Sequence, residues 1–253
     1  MTTKTTALNE TMLTRFDISQ RIQHILLIIS FSMLGLTGLP QSFSQTAWAR
    51  GWMDLFGGIA GVRKVHHFFA VLMAFLFIYH VIVVIGDMVK KRYPRLMLPK
   101  KQDVKDAWQS VMYLLGKTTE APKYDRYDFR QKLEYWALIW GAILMGITGL
   151  VLMFPVAVTK VLPGVVVYAA KAAHGLEALL AVASIISWHM YNAHFAEGIY
   201  PLDTTIFTGK ISVERMIEEH PLDYERAINS PVEEVFTEKT AKKSKTDRRK
   251  KKK

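Results

Sequence analysis

The chain contains no cysteine among its 253 residues. Without thiolates it can form neither disulfides nor zinc–thiolate sites, iron–sulfur clusters or the covalent haem attachment of a CxxCH motif. It also lacks a nucleotide-binding fingerprint and any recognisable nucleic-acid motif. We therefore do not expect it to oxidise or reduce a primary substrate alone, nor to bind nucleic acid despite its net charge of +11.

Charged residues are missing from four long stretches. Three of them carry no Asp, Glu, Lys or Arg, and the fourth carries only Glu177; they are residues 22–39, 65–86, 135–159 and 172–196. Because about 20 helical residues cross the ~30 Å hydrocarbon core of a bilayer, each stretch can span a membrane. The sequence therefore predicts an all-α integral membrane protein, a four-helix transmembrane bundle.

Basic residues are distributed very unequally between the two sides of this bundle. Of 33 Lys and Arg residues, 28 lie before the first span, between the second and third, or after the fourth. The positive-inside rule places these segments, and hence both termini, in the cytoplasm. We expect a cytoplasmic segment over 1–21, a transmembrane domain over 22–196 and a basic cytoplasmic tail over 197–253, whose lysine-rich end contacts anionic lipid.

Histidine is concentrated in the predicted spans. Seven of the eight histidines lie there, although ionisable side chains are costly in hydrocarbon. Such an excess indicates a cofactor or a proton path. The seven are His24, His66, His67, His80, His174, His189 and His194.

The spacing of these histidines favours a cofactor. His66 and His80 are 14 residues apart on the second span, and His174 and His189 are 15 apart on the fourth. Each pair lies on roughly one helix face, with a rise of about 21–22 Å between its members. Imidazoles from two helices at one depth can be the axial ligands of a haem, which must be b-type here because cysteine is absent. The pattern predicts two stacked haems.

The ligands of the outer haem are predicted as His66 and His174. For the inner haem, His189 has two potential partners, since both His24 and His80 lie toward the cytoplasmic side. The histidine left over could bind a propionate or a quinone.

Polar residues near each level are further candidates. Four cations flank the haem levels and could bind propionates through charge-assisted hydrogen bonds: Arg63, Lys64 and Lys171 on the outer side and Arg21 on the inner side. Groups that could line a quinone site at the inner level are Tyr191, Asn192 and Glu197. Glu177, three residues after His174, could relay protons or tune the outer haem.

These residues resemble a known family, the di-haem cytochrome b subunits of membrane-bound formate dehydrogenases, thiosulfate reductases and nickel–iron hydrogenases. The resemblance covers roughly residues 15–230. The matching motifs are Arg21-x-x-His24, Gly38-Leu39-Pro40, the Val62–Phe69 segment, Arg130-Gln131-Lys132, Thr148-Gly149, His174-Gly175-x-Glu177 and Trp188-His189-Met190-Tyr191.

The resemblance implies that His66 and His174 hold the outer haem and that His24 and His189 hold the inner one. This chain departs from the family in having His80 as well, and in one extra residue between His174 and His189. His80 therefore stays an alternative inner ligand.

The resemblance also implies a function. We expect the membrane-anchoring b-type cytochrome subunit of a respiratory oxidoreductase complex, multi-pass in the cytoplasmic (inner) membrane of a prokaryote. Electrons would pass through two haems between a partner at the outer face and the quinone pool, with menaquinone or ubiquinone as the mobile carrier. The expected partners are a catalytic subunit and an iron–sulfur or multihaem subunit, docking at the outer face on residues 41–64.

Two other functions fit some of the observations. One is a transporter or proton channel that uses the histidines as relays and binds no haem. Such proteins usually contain broken helices or internal repeats, neither of which we expect from this sequence. The other is a structural anchor whose haems do not conduct.

Overall fold

The computed structural model describes residues 12–89, 96–196 and 199–229. These residues form two units. The bundle unit comprises Thr14–Leu98 and Arg130–Lys210, and the peripheral unit comprises the described parts of Met1–Leu13, Pro99–Phe129 and Ile211–Lys253.

The bundle unit contains four helices that are long and apolar enough to cross a membrane. At most 17% of the most apolar window of each helix is buried, so most of these side chains face outward, where lipid can cover them. The predicted four-span, all-α membrane fold is confirmed. The spans are α1 (Ile18–Ser42), α3 (Gly58–Val89), α5 (Phe129–Met153) and α7 (Val165–Ser184), which continues through π-helical turns to Phe195.

The helices extend beyond the charge-free stretches at most ends. α1 begins at a capping box, in which Asp17 accepts from the Gln20 backbone at 2.8 Å and Gln20 accepts from the Asp17 backbone at 3.1 Å. α5 ends at Met153, earlier than the charge-free stretch. The cause is Pro155, which cannot continue a helix but fits the first turn of the separate helix α6 (Pro155–Thr159).

A short helix, α2 (Ala47–Asp54), connects the first two spans. It contains two tryptophans, Trp48 and Trp52. The indole Nε1 of Trp52 donates to the carbonyl of Leu36 at 2.9 Å, which ties α2 to α1.

The remaining elements are short. α4 (Lys101–Leu114) lies between the second and third spans, and β1 (Met12–Thr14) pairs with β2 (Lys210–Ser212). Three helices follow the fourth span within the described residues 199–229: α8 (Thr205–Thr208), α9 (Val213–Glu219) and α10 (Pro221–Asn229). The basic run 242–253 lies outside the described residues.

Candidate functional site

Two of the predicted ligands, His66 and His174, face each other between α3 and α7. Their ring centroids are 6.4 Å apart and their planes differ by 68°. Both rings are half-buried, in spans whose outward faces are apolar. The structure therefore brings the His66–His174 pair together.

A threonine fixes each of these two rings. The Nδ1 of His66 lies 2.9 Å from Thr37 Oγ1, and the Nδ1 of His174 lies 2.9 Å from Thr148 Oγ1. Both hydroxyls also donate to a carbonyl of their own helix four residues back, at 2.6 and 2.7 Å. Since each hydroxyl proton is used in this way, its oxygen accepts from the imidazole N–H. The proton of each ring is thus held at Nδ1, which leaves Nε2 as the metal-binding nitrogen.

A glycine follows each threonine and makes room for the same ring. A Cβ added at Gly38 would lie 3.1 Å from His66 Cε1, and one at Gly149 would lie 3.4 Å from His174 Cε1. The Thr-Gly dipeptides of α1 and α5 therefore serve as matching supports for the two histidines.

The second pair is His24 on α1 and His189 at the end of the first π-helical turn of α7. Their ring centroids are 6.3 Å apart, with an interplanar angle of 40°. His24 lies 13 residues before Thr37 on α1, a rise of about 20 Å, so the two histidine pairs occupy two depths of the bundle.

The supports of the His24–His189 pair differ from those of the first. His189 Nδ1 lies 2.7 Å from the carboxylate Oε2 of Glu134 on α5, a contact in which the imidazole N–H donates. The Nδ1 of His24 is buried and has no hydrogen-bond partner among the residues that the structure describes. One ligand candidate at this level is therefore held by a carboxylate.

His80, the alternative partner of His189, is engaged at both ring nitrogens. Its Nδ1 lies 2.9 Å from Gln23 Oε1 and its Nε2 lies 3.1 Å from the hydroxyl of Tyr135. The Gln23 amide nitrogen in turn donates to Ser19 Oγ at 3.0 Å. A ring whose two nitrogens are both hydrogen-bonded has none free for a metal, so the geometry favours His24.

The extra residue between His174 and His189 coincides with a change of helix type. Residues 185–189 and 191–195 are π-helical, and the Met190 N–H bonds to the Ile185 carbonyl five residues back. A π turn takes up more residues than an α turn, and such turns are frequent at functional sites. The wider turn thus accommodates the fifteenth residue and turns His189 toward His24.

Both ring separations fit ligation of a single metal ion between the rings. An imidazole nitrogen binds a metal at about 2 Å, and the ring centre lies roughly 1 Å behind it, so two imidazoles that share one metal ion between them place their centroids about 6 Å apart. The observed separations are 6.4 and 6.3 Å. Within the described ranges no cluster of three or more His, Cys, Asp or Glu could hold a metal.

The candidate propionate-binding cations occupy different surroundings. Arg63 and Lys171 are exposed, each three residues before a histidine of the first pair, and Lys64 is exposed beside Arg63. Arg21 donates through Nη2 to the carbonyl of Phe207, while its Nε is buried and without a partner within the described residues.

Two of the three quinone candidates at the end of α7, Tyr191 and Asn192, lie within the described residues. Tyr191 is exposed, and the Asn192 amide donates to the Trp188 carbonyl of its own helix at 2.9 Å. Glu197 lies outside the described residues. Nearby, His194 accepts from the Asp203 backbone N–H at 3.3 Å.

Glu177 reaches toward Gly141 of α5. A Cβ added at Gly141 would lie 2.8 Å from Glu177 Oε1, so a larger residue there would require the end of the Glu177 side chain to shift. His67 is exposed on α3.

Sequence reasoning missed the residues that hold the rings, and it missed an internal repeat. The signal is present in the sequence: Thr37-Gly38 recurs as Thr148-Gly149 after 111 residues, and His66 recurs as His174 after 108. The same offsets relate Arg63 to Lys171. At the second level, the offset of 111 relates His24 to Tyr135. The offset of 108, increased by the extra residue of α7, relates His80 to His189.

At the second level the internal repeat relates two pairs of facing side chains to each other. One is His24–His189, with a gap of metal-binding size, and the other is Tyr135–His80, closed by a direct hydrogen bond. The expectation of a sequence without internal repeats is therefore incorrect for these functional positions.

Four apolar spans with facing histidines at two depths define a membrane protein of the b-type cytochrome class. The family model described as prokaryotic cytochrome b561 matches residues 15–205, and the chain belongs to this family. Membership makes it a multi-pass, electron-transferring membrane cytochrome and implies b-type haem.

Two curated relatives match over most of their lengths. One is the formate dehydrogenase cytochrome b556 subunit of Haemophilus influenzae, 26% identical over 94% of this chain and 93% of the relative. Another is the cytochrome b556(Fdn) subunit of the nitrate-inducible formate dehydrogenase of Escherichia coli K12, 23% identical over 84% of this chain and 90% of the relative. The predicted resemblance to formate dehydrogenase cytochrome b subunits is confirmed.

Proposed function

We propose that this chain is the membrane-anchoring subunit of a respiratory oxidoreductase complex and binds two b-type haems. The observation that carries the proposal is the pair of imidazole gaps, 6.4 and 6.3 Å between centroids, at two depths about 20 Å apart. His66 and His174 would hold the outer haem, and His24 and His189 the inner one. His80 would not be a ligand in this proposal, because Gln23 and Tyr135 bond to both of its ring nitrogens.

The protein residues prepare these sites before any haem arrives. Thr37 and Thr148 keep the outer imidazoles protonated at Nδ1, and Glu134 does the same for His189. Arg63 and Lys171 can pair with propionates at the outer level, and Arg21 can do so through its unpartnered Nε at the inner level. Haem bound at both levels supplies one-electron carriers and so a route for electrons across the membrane.

A quinone head group would bind at the inner level, beside His80. Three polar side chains from three different spans meet there: Gln23, His80 and Tyr135. Gln23 adjoins His24 in sequence, and Tyr135 adjoins Glu134, the partner of His189. Hydrogen-bonding groups this close to a ligand pair suit a menaquinone or ubiquinone head group better than exposed Tyr191 does.

The complex would be of the formate dehydrogenase type. Support comes from relatives that are named as formate dehydrogenase cytochrome subunits and that this chain matches over nearly their whole length. A catalytic subunit and an iron–sulfur or multihaem subunit would dock on residues 41–64. With 28 of 33 basic residues on the opposite side, that docking face would be the outer face of a prokaryotic cytoplasmic membrane.

Haem stoichiometry of the purified complex tests the ligand assignment. We expect two b-type haems per chain in the wild type and one each in His66→Ala and His24→Ala. His80→Ala serves as the matched control and should keep both. One haem in His80→Ala together with two in His24→Ala would overturn the assignment of the inner ligands, and a colourless folded wild type would overturn the haem proposal.

Reduction of the haems by a quinol analogue tests the quinone site. Tyr135→Phe and His80→Gln should slow this reduction at least tenfold at unchanged haem content, because the head group loses a hydrogen-bonding partner. Tyr191→Phe is the matched control. A slow Tyr191→Phe beside a normal Tyr135→Phe would place the quinone at the end of α7 instead.

A further inference from the structure

Helix α4 of the peripheral unit exposes an apolar stripe. Val104, Trp108, Val111 and Leu115 follow each other at intervals of four, three and four residues, which places them on one helix face. Their exposed fractions are 72%, 64%, 45% and 61%. An exposed stripe of this kind, centred on a tryptophan, marks an interaction surface.

The opposite, polar face of α4 is the one that packs against the rest of its unit. Asp106 is buried, and Ser110 Oγ lies 2.7 Å from the hydroxyl of Tyr124. Gln109 donates to the carbonyl of Glu120 at 3.2 Å. This arrangement is the reverse of a helix on a water-soluble domain, which buries its apolar face.

Lysines border the stripe. At 100° per residue, Lys101 and Lys105 lie about 50° and 90° from the centre of the stripe, and both are exposed. Long cationic side chains at the edge of an apolar face can extend to lipid phosphates while their carbon chains stay among the acyl groups. The charge therefore complements an anionic lipid surface.

In the sequence, α4 is connected at both ends to membrane spans. The loop that carries it follows the span α3 and precedes the span α5. Just before α4, the carbonyl of Met97 accepts from Trp136 Nε1 of α5 at 2.9 Å, and only three residues separate Met97 from Lys101.

We propose that α4 lies in the membrane interface, with Val104, Trp108, Val111 and Leu115 inserted among the acyl chains and Lys101 and Lys105 bound to anionic headgroups. The occupant of the apolar face is thus the lipid leaflet on the side of the loop. This proposal does not depend on haem binding or on quinone chemistry.

The absence of cysteine gives a direct test, because single-cysteine variants of the full chain can be spin-labelled at one site only. Labels at positions 104, 108, 111 and 115 are compared with labels at Gln102 and Tyr113, which lie on the opposite side of α4 but are themselves exposed. The protein is placed in nanodiscs of phosphatidylcholine alone or of equal parts phosphatidylcholine and phosphatidylglycerol. Collision with oxygen, which concentrates in lipid, is measured against collision with a water-soluble nickel chelate.

We expect the four stripe positions to collide more with oxygen and the two control positions more with nickel. The contrast should be larger with phosphatidylglycerol, and Lys101→Gln with Lys105→Gln should remove that difference. Nickel collisions at all six positions would overturn the proposal in favour of a solvated helix. Protection of the stripe from both agents would overturn it in favour of a protein partner, and spin–spin broadening would identify that partner as a second copy.

Retention of haem by each labelled variant serves as the folding control. None of the four stripe residues is a proposed haem ligand, so their variants should keep the wild-type haem content.

Discussion

The carboxylate of Glu134 accepts a hydrogen bond of 2.7 Å from the Nδ1 of His189, whereas the corresponding nitrogens of His66 and His174 donate to threonine hydroxyls at 2.9 Å. A carboxylate acceptor makes an imidazole more electron-rich than a neutral hydroxyl does. The two levels of the bundle are therefore electronically different, although their ring separations are nearly the same.

Glu134→Gln should raise the midpoint potential of the inner haem. A hydrogen bond to a charged acceptor exceeds one to a neutral acceptor by about 1 kcal/mol, which for one electron corresponds to roughly 40 mV. The potential rises because the glutamine no longer stabilises ferric iron through an electron-rich imidazole. A spectroelectrochemical redox titration measures the shift. Glu177→Gln, which changes a carboxylate away from His189, is the control. An unchanged inner potential in Glu134→Gln would contradict this role of the carboxylate.

The threonines that bond to the outer imidazoles should increase the affinity of the outer site for haem. Thr37→Val removes the acceptor for His66 Nδ1, so the ring loses its fixed protonation and orientation; loss of such a partner typically lowers metal affinity about 10- to 100-fold. Haem loss to apomyoglobin from the purified protein gives the measurement. Thr37→Ser restores the hydroxyl and should release haem at nearly the wild-type rate. Equal rates for the valine and serine variants would argue against the hydrogen bond.

The sequence was sufficient to predict the spans and the two histidine levels, because charge depletion and helical spacing are properties of one helix at a time. It could not predict which groups on other helices hold the rings. Glu134 precedes the charge-free stretch, so the sequence alone suggests an ordinary interfacial residue. In the structure, the rotation of α5 about its own axis places the Glu134 carboxylate next to His189. That rotation is set by packing between helices.

The choice between His24 and His80 shows the same limit. Both are histidines at similar depth, and spacing alone allows either. The structure separates them through their neighbours, since Gln23 and Tyr135 occupy His80 whereas the Nδ1 of His24 has no partner in the described part of the chain. The end of α5 was misjudged for another reason: charge-free residues continue past Pro155, where the helix cannot.

Alanine at the two support glycines should have unequal effects. The added Cβ would lie 3.1 Å from His66 Cε1 in Gly38→Ala but 3.4 Å from His174 Cε1 in Gly149→Ala, an ordinary contact distance. We expect Gly38→Ala to displace the His66 ring and lose part of the outer haem, and Gly149→Ala to keep it. Haem-to-protein ratios of the two variants, purified in parallel, decide the matter. Equal haem content in both would contradict a steric role for Gly38.

The peripheral unit contains an ion-pair cluster around Asp125. Arg226 pairs with its carboxylate, the Arg126 backbone N–H donates to it at 2.6 Å, and Lys100 lies 3.9 Å away. Burial alone would raise the pKa of Asp125, but these hydrogen bonds and the positive charges of Arg226 and Lys100 outweigh burial and lower the pKa below its usual value.

Because the folded-state pKa of Asp125 is depressed, its ion pairs stabilise the peripheral unit above the unfolded pKa of about 3.9, and this contribution is lost as the pH falls through the folded pKa. We therefore expect hydrogen exchange in residues 99–128 and 213–229 to accelerate at acid pH while the bundle spans stay protected. Asp125→Asn should exchange faster already at neutral pH and show a smaller further increase on acidification. Asp54→Asn, in α2 of the bundle unit, provides the control. A wild-type acid response that persists at full size in Asp125→Asn would assign the effect to another group.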